Sequence, residues 1–238
     1  MNFNRQSPFA NLTPVVKNLL IINLIFFLAY LIFDSKYVLG PITRVLGAYY
    51  FNSRAFRPWQ IITYMFMHGG FEHILFNMFA LFSFGPILEY YIGSKKFFNL
   101  YFICGIGAFL CQTIVQAIEV QSITGSMILP FSNHVIDSIS MEKLKAIYNY
   151  PMVGASGAIF GLLVAFGMIY PNLELMILFL PIPIKAKYLI PIYIVLELFL
   201  GFGQFASDNI AHFAHLGGAL FGFIMIKLWK LKGPTQLF

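Results

Sequence analysis

A serine with very small neighbours is the clearest chemical signal in this 238-residue sequence. Ser156 follows Gly154 and precedes Gly157, so a substrate backbone could come close to its hydroxyl. A serine at the start of a helix is more often an N-cap than a nucleophile, and the pattern alone leaves both interpretations open. A nucleophilic role requires a nearby base that takes the hydroxyl proton.

A histidine in a glycine-rich stretch is the candidate base. Gly218 and Gly222 follow His215 by three and seven positions, so a helix places the three residues on one face. Gly157 and Gly161 after Ser156 are likewise four positions apart, and such small residues let membrane helices approach closely. We therefore predict that the two helices pack together and bring His215 towards Ser156.

Two further polar residues could stabilise the oxyanion of an acyl-transfer reaction. His73 and Asn77 are four positions apart, hence on one face of a helix, and both can donate hydrogen bonds. The backbone N–H of Ser156 is a third candidate donor, because the first N–H groups of a helix have no acceptor within it. Without the serine, the same pair would be interpreted as a hydrogen-bonded contact between helices.

Composition shows which solvent surrounds these residues. The chain is 59% hydrophobic and 10% charged, whereas soluble domains carry about 45–50% apolar and about 25% charged residues. This excludes a soluble globular enzyme. The fifteen Lys and Arg residues lie between apolar stretches, where helices would meet lipid headgroups. No nucleic-acid-binding motif accompanies them, so the net charge of +6 indicates contact with membrane lipids and not with nucleic acid.

Six segments are apolar over a length that suits a membrane-spanning helix, which needs about 20 residues. We predict an all-α polytopic membrane protein, a bundle of six transmembrane helices. The shorter apolar stretch 173–183 is interpreted as an interfacial connector. The predicted spans are Asn18–Phe33, Phe71–Ile92, Phe97–Ile118, Met152–Tyr170, Tyr188–Phe205 and Ile210–Trp229.

The distribution of basic residues predicts the orientation. Nine lie in short segments on one side and six in two long loops on the other, so both termini are expected in the cytoplasm. We predict a short cytoplasmic segment 1–17, a membrane domain 18–230 and a cytoplasmic tail 231–238. The expected compartment is a bacterial cytoplasmic (inner) membrane. The first outer loop, 34–70, mixes aromatic residues with arginines, which suits a segment in the membrane interface or an ordinary aromatic belt. The second outer loop, 119–151, could cover the site, bind a partner or act as a spacer.

Three motifs in chain order resemble those of the rhomboid family of intramembrane serine proteases. The resemblance covers nearly all of the six-span region, and the three motifs begin spans that run in the same direction. The motifs are His68-x4-His73-x3-Asn77 entering the second span, Gly154-x-Ser156-Gly157 opening the fourth, and Ala214-His215 followed by Gly217-Gly218 in the sixth.

The resemblance implies a catalytic dyad of Ser156 and His215. It also implies that His73, Asn77 and the Ser156 amide hold the oxyanion. Gly154 and Phe160 are included with the substrate-binding residues. Expected substrates are single-pass transmembrane proteins, cut near the outer end of their span. No metal or organic cofactor is implied, and no oligomeric state.

Two positions depart from the pattern of the family. The Trp-Arg pair that is frequent in the first outer loop reads Trp59-Gln60, so no salt bridge is expected to brace this loop. The aromatic residue one turn after the nucleophile, sometimes tyrosine, is Phe160, which can stack on His215 but cannot donate a hydrogen bond.

No carboxylate is identified as the third member of a triad. Asp208 is interpreted as an N-cap of the sixth span, and Glu197 lies within the fifth span without an identifiable partner. His212 is one turn nearer the outer surface than His215 and four residues after Asp208, a spacing that suits an exposed pair. His215 is therefore preferred over His212 as the base.

Two other functions fit the same residues less well. A metal-dependent membrane enzyme could use His68, His73, His212 and His215, although no HExxH motif and no suitable acidic ligand is evident. A non-catalytic protein that binds membrane helices would need neither Ser156 nor His215.

Overall fold

Helices dominate the computed structural model, which describes residues 12–127, 137–177, 180–203 and 211–233. Within these ranges a short 3-10 helix, Tyr64–Phe66, follows α3, and an antiparallel hairpin of strands β1 (Glu174–Ile177) and β2 (Leu180–Lys185) precedes α8. The α-helices are α1 (Pro14–Phe33), α2 (Pro41–Leu46), α3 (Gln60–Thr63), α4 (Phe71–Ile92), α5 (Ser94–Thr124), α6 (Ser138–Asn149), α7 (Ser156–Ile169), α8 (Ala186–Gly203) and α9 (His212–Leu228).

Four of the described helices, α1, α4, α5 and α8, are long and apolar enough to cross a membrane. The predicted fourth and sixth spans correspond to α7 and α9, which are apolar but have only 14 and 17 residues. Large apolar side chains on the outward faces of the long helices are exposed, for example Ile25, Val195 and Phe199. Such a surface requires a hydrocarbon solvent.

Glycines set the contact between α7 and α9. A Cβ atom on Gly218 would collide with the carbonyl of Gly157, and one on Gly222 would collide with the carbonyl of Gly161. The two backbones therefore touch directly, which confirms the predicted packing of these helices. Both also pack on α5, whose Cys104 would meet any side chain at position 161.

Hydrogen bonds brace the segment between α1 and α4. Gln60 is fully buried, and its Nε2 lies 3.2 Å from the carbonyl oxygen of Val45 and 3.3 Å from that of Ala55. Its Oε1 accepts a hydrogen bond from the backbone N–H of Arg57 at 2.9 Å. The side-chain amide of Gln60 thus braces this loop, in which no salt bridge was expected.

The predicted outer loop 119–151 is largely helical in its described residues. Residues 119–124 continue α5, and α6 begins after Asp137, whose carboxylate accepts hydrogen bonds from the N–H groups of Ile139 and Ser140. Leu144 and Ile147 on α6 pack against Val120 and its neighbours. A short amphipathic helix of this kind is missed by a search for membrane-spanning segments.

The stretch interpreted as an interfacial connector forms the β-hairpin. Glu174 pairs with Lys185 and Leu175 with Ile184, and the register shifts after Met176. The sequence analysis contained no strand, so this element was missed.

Candidate active site

The backbone before α7 is held so that Ser156 is the first residue of the helix. Gly154 has φ = +131°, a conformation that L side chains rarely adopt, and a Cβ atom there would lie 2.7 Å from Nε2 of His73. The Gly154 N–H donates to the carbonyl of Tyr64 at 3.0 Å. Met152 and Ala48 exchange two backbone hydrogen bonds of 2.8 and 2.9 Å. Gly154 is thus required at this position, and the hydroxyl of Ser156 is placed by fixed neighbours.

His215 on α9 reaches the hydroxyl of Ser156. Its Nε2 lies 2.7 Å from Oγ of Ser156, a normal hydrogen-bond distance. Its ring stacks on Phe160, with centroids 4.5 Å apart and an interplanar angle of 4°. Phe160 lies one turn after Ser156, so α7 supplies both the hydroxyl and the surface that orients the imidazole.

Glu197 on α8 contacts both histidines of α9, a juxtaposition that the sequence analysis missed. Its Oε2 lies 2.6 Å from Nδ1 of His212 and 3.0 Å from Nδ1 of His215. The contact with His212 is a hydrogen bond, whereas the ring N–H of His215 is not well aligned with the carboxylate. The structure thus supplies the partners of Glu197 that could not be identified from the sequence.

His212 is buried, contrary to the interpretation as part of an exposed pair. Only 5% of the residue is exposed, because α8 covers this face of α9 through Glu197 and Gly201. The proposed partner Asp208 lies outside the described residues. The structure places His215, and not His212, against Ser156.

His73 lies beside Gly154 at the start of α4. The N–H of Gly69 points at its Nδ1, 3.5 Å away, which favours the tautomer with the proton on Nε2. The same Nε2 faces Gly154, so a donor is directed at the segment that carries the nucleophile. Asn77 is 6% exposed, and its Nδ2 donates to the carbonyl of His73 at 2.9 Å. One of its two amide protons thus remains for a ligand.

His68, the first residue of the second-span motif, lies under His73. It is 1% exposed, and the two ring centroids are 5.0 Å apart in an edge-to-face arrangement. Neither ring nitrogen forms a hydrogen bond within the part of the chain described. Burial lowers the pKa of His68 to about 3, with a smaller contribution from His73. His68 is thus a neutral packing partner of His73.

The four histidines considered as metal ligands do not form one group. Among the described residues, the ligand atoms that converge are those of Glu197, His212 and His215, all within 4.8 Å of one another. The absence of a suitable acidic ligand was therefore a wrong argument against a metal, since Glu197 provides one.

Four of the described helices are long and apolar enough to cross a membrane, and α7 and α9 bring Ser156 and His215 together. The sequence matches the Rhomboid domain over residues 55–230. The chain therefore belongs to the rhomboid family, and together with its apolar helices this indicates an integral membrane protein.

Three relatives illustrate the similarity. Rhomboid protease GluP of Bacillus subtilis is 33% identical over 165 residues, which are 69% of this chain and 25% of the relative. The putative rhomboid protease YdcA of the same organism is 29% identical over 167 residues, 70% of this chain and 65% of the relative. The mitochondrial rhomboid protein 1 of Saccharomyces cerevisiae is 29% identical over 124 residues, which are 52% of this chain and 29% of the relative. This chain thus covers less than two thirds of the length of each.

Proposed function

We propose that this protein is an intramembrane serine endopeptidase that cleaves single-pass transmembrane proteins near the outer end of their span. The observation that carries the proposal is the 2.7 Å distance between Ser156 Oγ and His215 Nε2. A serine hydroxyl within hydrogen-bond reach of an imidazole is the arrangement of an activated nucleophile. Membership of the rhomboid family and two relatives named as rhomboid proteases add support.

The proposed reaction is acyl transfer to Ser156. As Oγ of Ser156 bonds to the scissile carbonyl carbon, its proton passes to Nε2 of His215. The carbonyl oxygen becomes an oxyanion, for which the Ser156 amide, His73 and Asn77 are the proposed donors. His215 then gives the proton to the leaving amine as the C–N bond breaks. Water hydrolyses the acyl-enzyme, with His215 again as the base.

The proposed arrangement in the membrane has six spans, formed by α1, α4, α5, α7, α8 and α9. The short α7 and α9 would be enclosed by the longer helices, which expose apolar side chains to the lipid. The distribution of basic residues supports cytoplasmic termini. The proposed compartment is a bacterial inner membrane. Ser156 would then lie near the outer surface, where an unwound end of a substrate helix could reach it.

The test is cleavage of a transmembrane substrate by purified protein in detergent, with labelling by a fluorophosphonate as a second measurement. Ser156→Ala should abolish both while the thermal melting temperature stays unchanged. Ser83→Ala is the matched control, because Ser83 is an exposed serine whose hydroxyl bonds to its own helix. Turnover near the wild-type rate in Ser156→Ala would refute the proposal.

A metal-dependent enzyme is the second candidate, because Glu197, His212 and His215 converge. Two ligands of a tetrahedral zinc ion lie about 3.3 Å apart, given metal–nitrogen distances of about 2.0–2.1 Å. The 2.6 Å contact between Glu197 and His212 is shorter and is that of a hydrogen bond. Activity that survives a strong chelator would exclude this candidate.

A further inference from the structure

We infer that Glu197 is a positioning residue for His215, and that His212 holds Glu197 in place. The inference rests on the proposed serine protease function and changes the expected dyad into a relay of Ser156, His215, Glu197 and His212. These residues come from three helices, α7, α8 and α9. The described contacts of Glu197 in this site are with the imidazoles of His212 and His215, so its effect would act through the imidazole of His215.

The geometry places one carboxylate oxygen against both imidazoles. Oε2 of Glu197 is 2.6 Å from Nδ1 of His212 and 3.0 Å from Nδ1 of His215. Glu197 is 9% exposed and His212 5% exposed. A carboxylate in such surroundings requires hydrogen-bond donors. The described hydrogen bond to this oxygen is that with His212, and Nδ1 of His215 lies beside it at contact distance.

The tautomer of His215 follows from this contact. An ionised carboxylate only accepts hydrogen bonds, so it favours the form of His215 that carries its proton on Nδ1. The lone pair of Nε2 then faces the hydroxyl of Ser156 at 2.7 Å and can accept its proton. With the proton on Nε2 instead, a neutral imidazole could not act as the base. When His215 becomes an imidazolium during the reaction, Glu197 also offsets its positive charge.

His212 explains why the carboxylate stays in place although its contact with His215 is poorly aligned. The better hydrogen bond of Glu197 is with His212, three residues before His215 on the same helix. The pair therefore fixes Glu197 of α8 relative to α9, one turn from the base. His212 would contribute to the rate through Glu197 alone.

Kinetics of Glu197 variants provide the first test. Glu197→Gln keeps the shape but loses the charge, and we expect kcat and the rate of fluorophosphonate labelling to fall about 10²-fold to 10⁴-fold. KM should change less than twofold, because a residue that acts through His215 affects the chemical step and not substrate binding. Glu197→Asp should recover part of the loss. Glu142→Gln, an exposed glutamate on α6, is the control and should match the wild type.

The double variant tests the relay. His212→Gln should lower kcat about tenfold. Combined with Glu197→Gln it should add little, because residues that act through one contact are not additive. Multiplicative losses would contradict the role assigned to His212.

The resting protein gives a readout that is independent of catalysis. Nitrogen-15 NMR of histidine-labelled protein reports which ring nitrogen of His215 carries the proton, with the signal identified by its loss in His215→Gln. We expect the proton on Nδ1 in the wild type and a shift towards Nε2 in Glu197→Gln. A proton on Nε2 in the wild type would overturn the inference, even if the Glu197 variants failed to fold.

The two proposals can fail separately. Wild-type rates in Ser156→Ala would refute the protease, and the tautomer of His215 would still test the contact with Glu197. Loss of activity in Ser156→Ala together with an unchanged kcat in Glu197→Gln would refute the positioning role alone.

Discussion

Two glutamates are buried in the helical region, and they contact very different partners. Glu89, near the end of α4, is 1% exposed and accepts hydrogen bonds from the backbone N–H groups of Val15 and Val16 at 3.0 and 2.9 Å. The hydroxyls of Thr13 and Ser94 donate to it at 2.5 and 2.6 Å. Glu197 instead contacts imidazole rings.

The difference between the partners separates a structural role from a chemical one. Amide N–H groups at the start of α1 always carry their protons, so Glu89 acts as a fixed cap that joins α1 to α4. Imidazoles gain and lose protons near neutral pH, so a negative charge on Glu197 can affect the protonation of His215. Asn77 and Glu89 are twelve residues apart on α4, about 18 Å along its axis. One helix thus carries a proposed catalytic donor near one end and a structural carboxylate near the other.

Removal of His215 should give the largest effect at the proposed catalytic end. We expect His215→Ala to lower kcat/KM by about 10⁴-fold or more, because the described hydrogen bond of the Ser156 hydroxyl is with His215. The melting temperature should change by only a few degrees. His212→Ala leaves the base in place and should lose about tenfold. An inactive His212→Ala protein beside an active His215→Ala protein would show that the base is assigned to the wrong histidine.

The proposed oxyanion donors should give the next largest effect. His73→Ala should reduce kcat by about 10²-fold to 10³-fold. Asn77→Ala should cost less, because one amide proton of Asn77 already donates to the carbonyl of His73. Substrate cleavage by both variants, with Ser83→Ala on the same helix as the control, provides the measurement. Equal rates in the wild type, both variants and their combination would remove these residues from the site.

Apolar runs and glycine spacing in the sequence predicted the second span and the contact between α7 and α9. The second span was predicted at Phe71–Ile92, the bounds that α4 has, from the length of its apolar run. The glycine spacing of α7 and α9 predicted a contact that depends on backbone approach alone. The short amphipathic α6 and the β-hairpin fell outside these patterns.

The partners of Glu197 could not be found in this way. It is 15 residues from His212 and on another helix, so only the packing of α8 on α9 brings the two together. The same packing buries His212, whereas its position near a helix start had indicated an exposed residue. A paired carboxylate and histidine in neighbouring spans was the available signal, since charged groups at membrane depth require partners.

Removal of Glu89, the structural carboxylate, should lower stability and leave the catalytic rate nearly unchanged. We expect Glu89→Ala to destabilise the protein by about 2–4 kcal/mol, because two backbone N–H groups and two hydroxyls lose their acceptor. The kcat of the folded fraction should stay within about twofold of the wild type. Thermal melting in detergent gives the first quantity and substrate cleavage the second. The exposed Glu142→Ala provides the baseline, and a loss of kcat with an unchanged melting temperature would contradict the contrast between the two glutamates.

The smallest effect concerns His68, a buried titratable group whose ring nitrogens form no hydrogen bond within the described residues. Its pKa is about 3 in the folded protein, whereas the ordinary value is 6.5. Between these values the unfolded chain binds a proton that the folded protein does not, so stability falls as the pH drops below 6.5. At pH 5 the loss of stability is about 2 kcal/mol, or several degrees in melting temperature.

The variant His68→Phe keeps an aromatic ring beside His73 and removes the titration. We therefore expect its melting temperature to fall less than that of the wild type between pH 8 and pH 5. Parallel curves for the two proteins would show that His68 is protonated equally in both states, and that its burial does not exclude the charge.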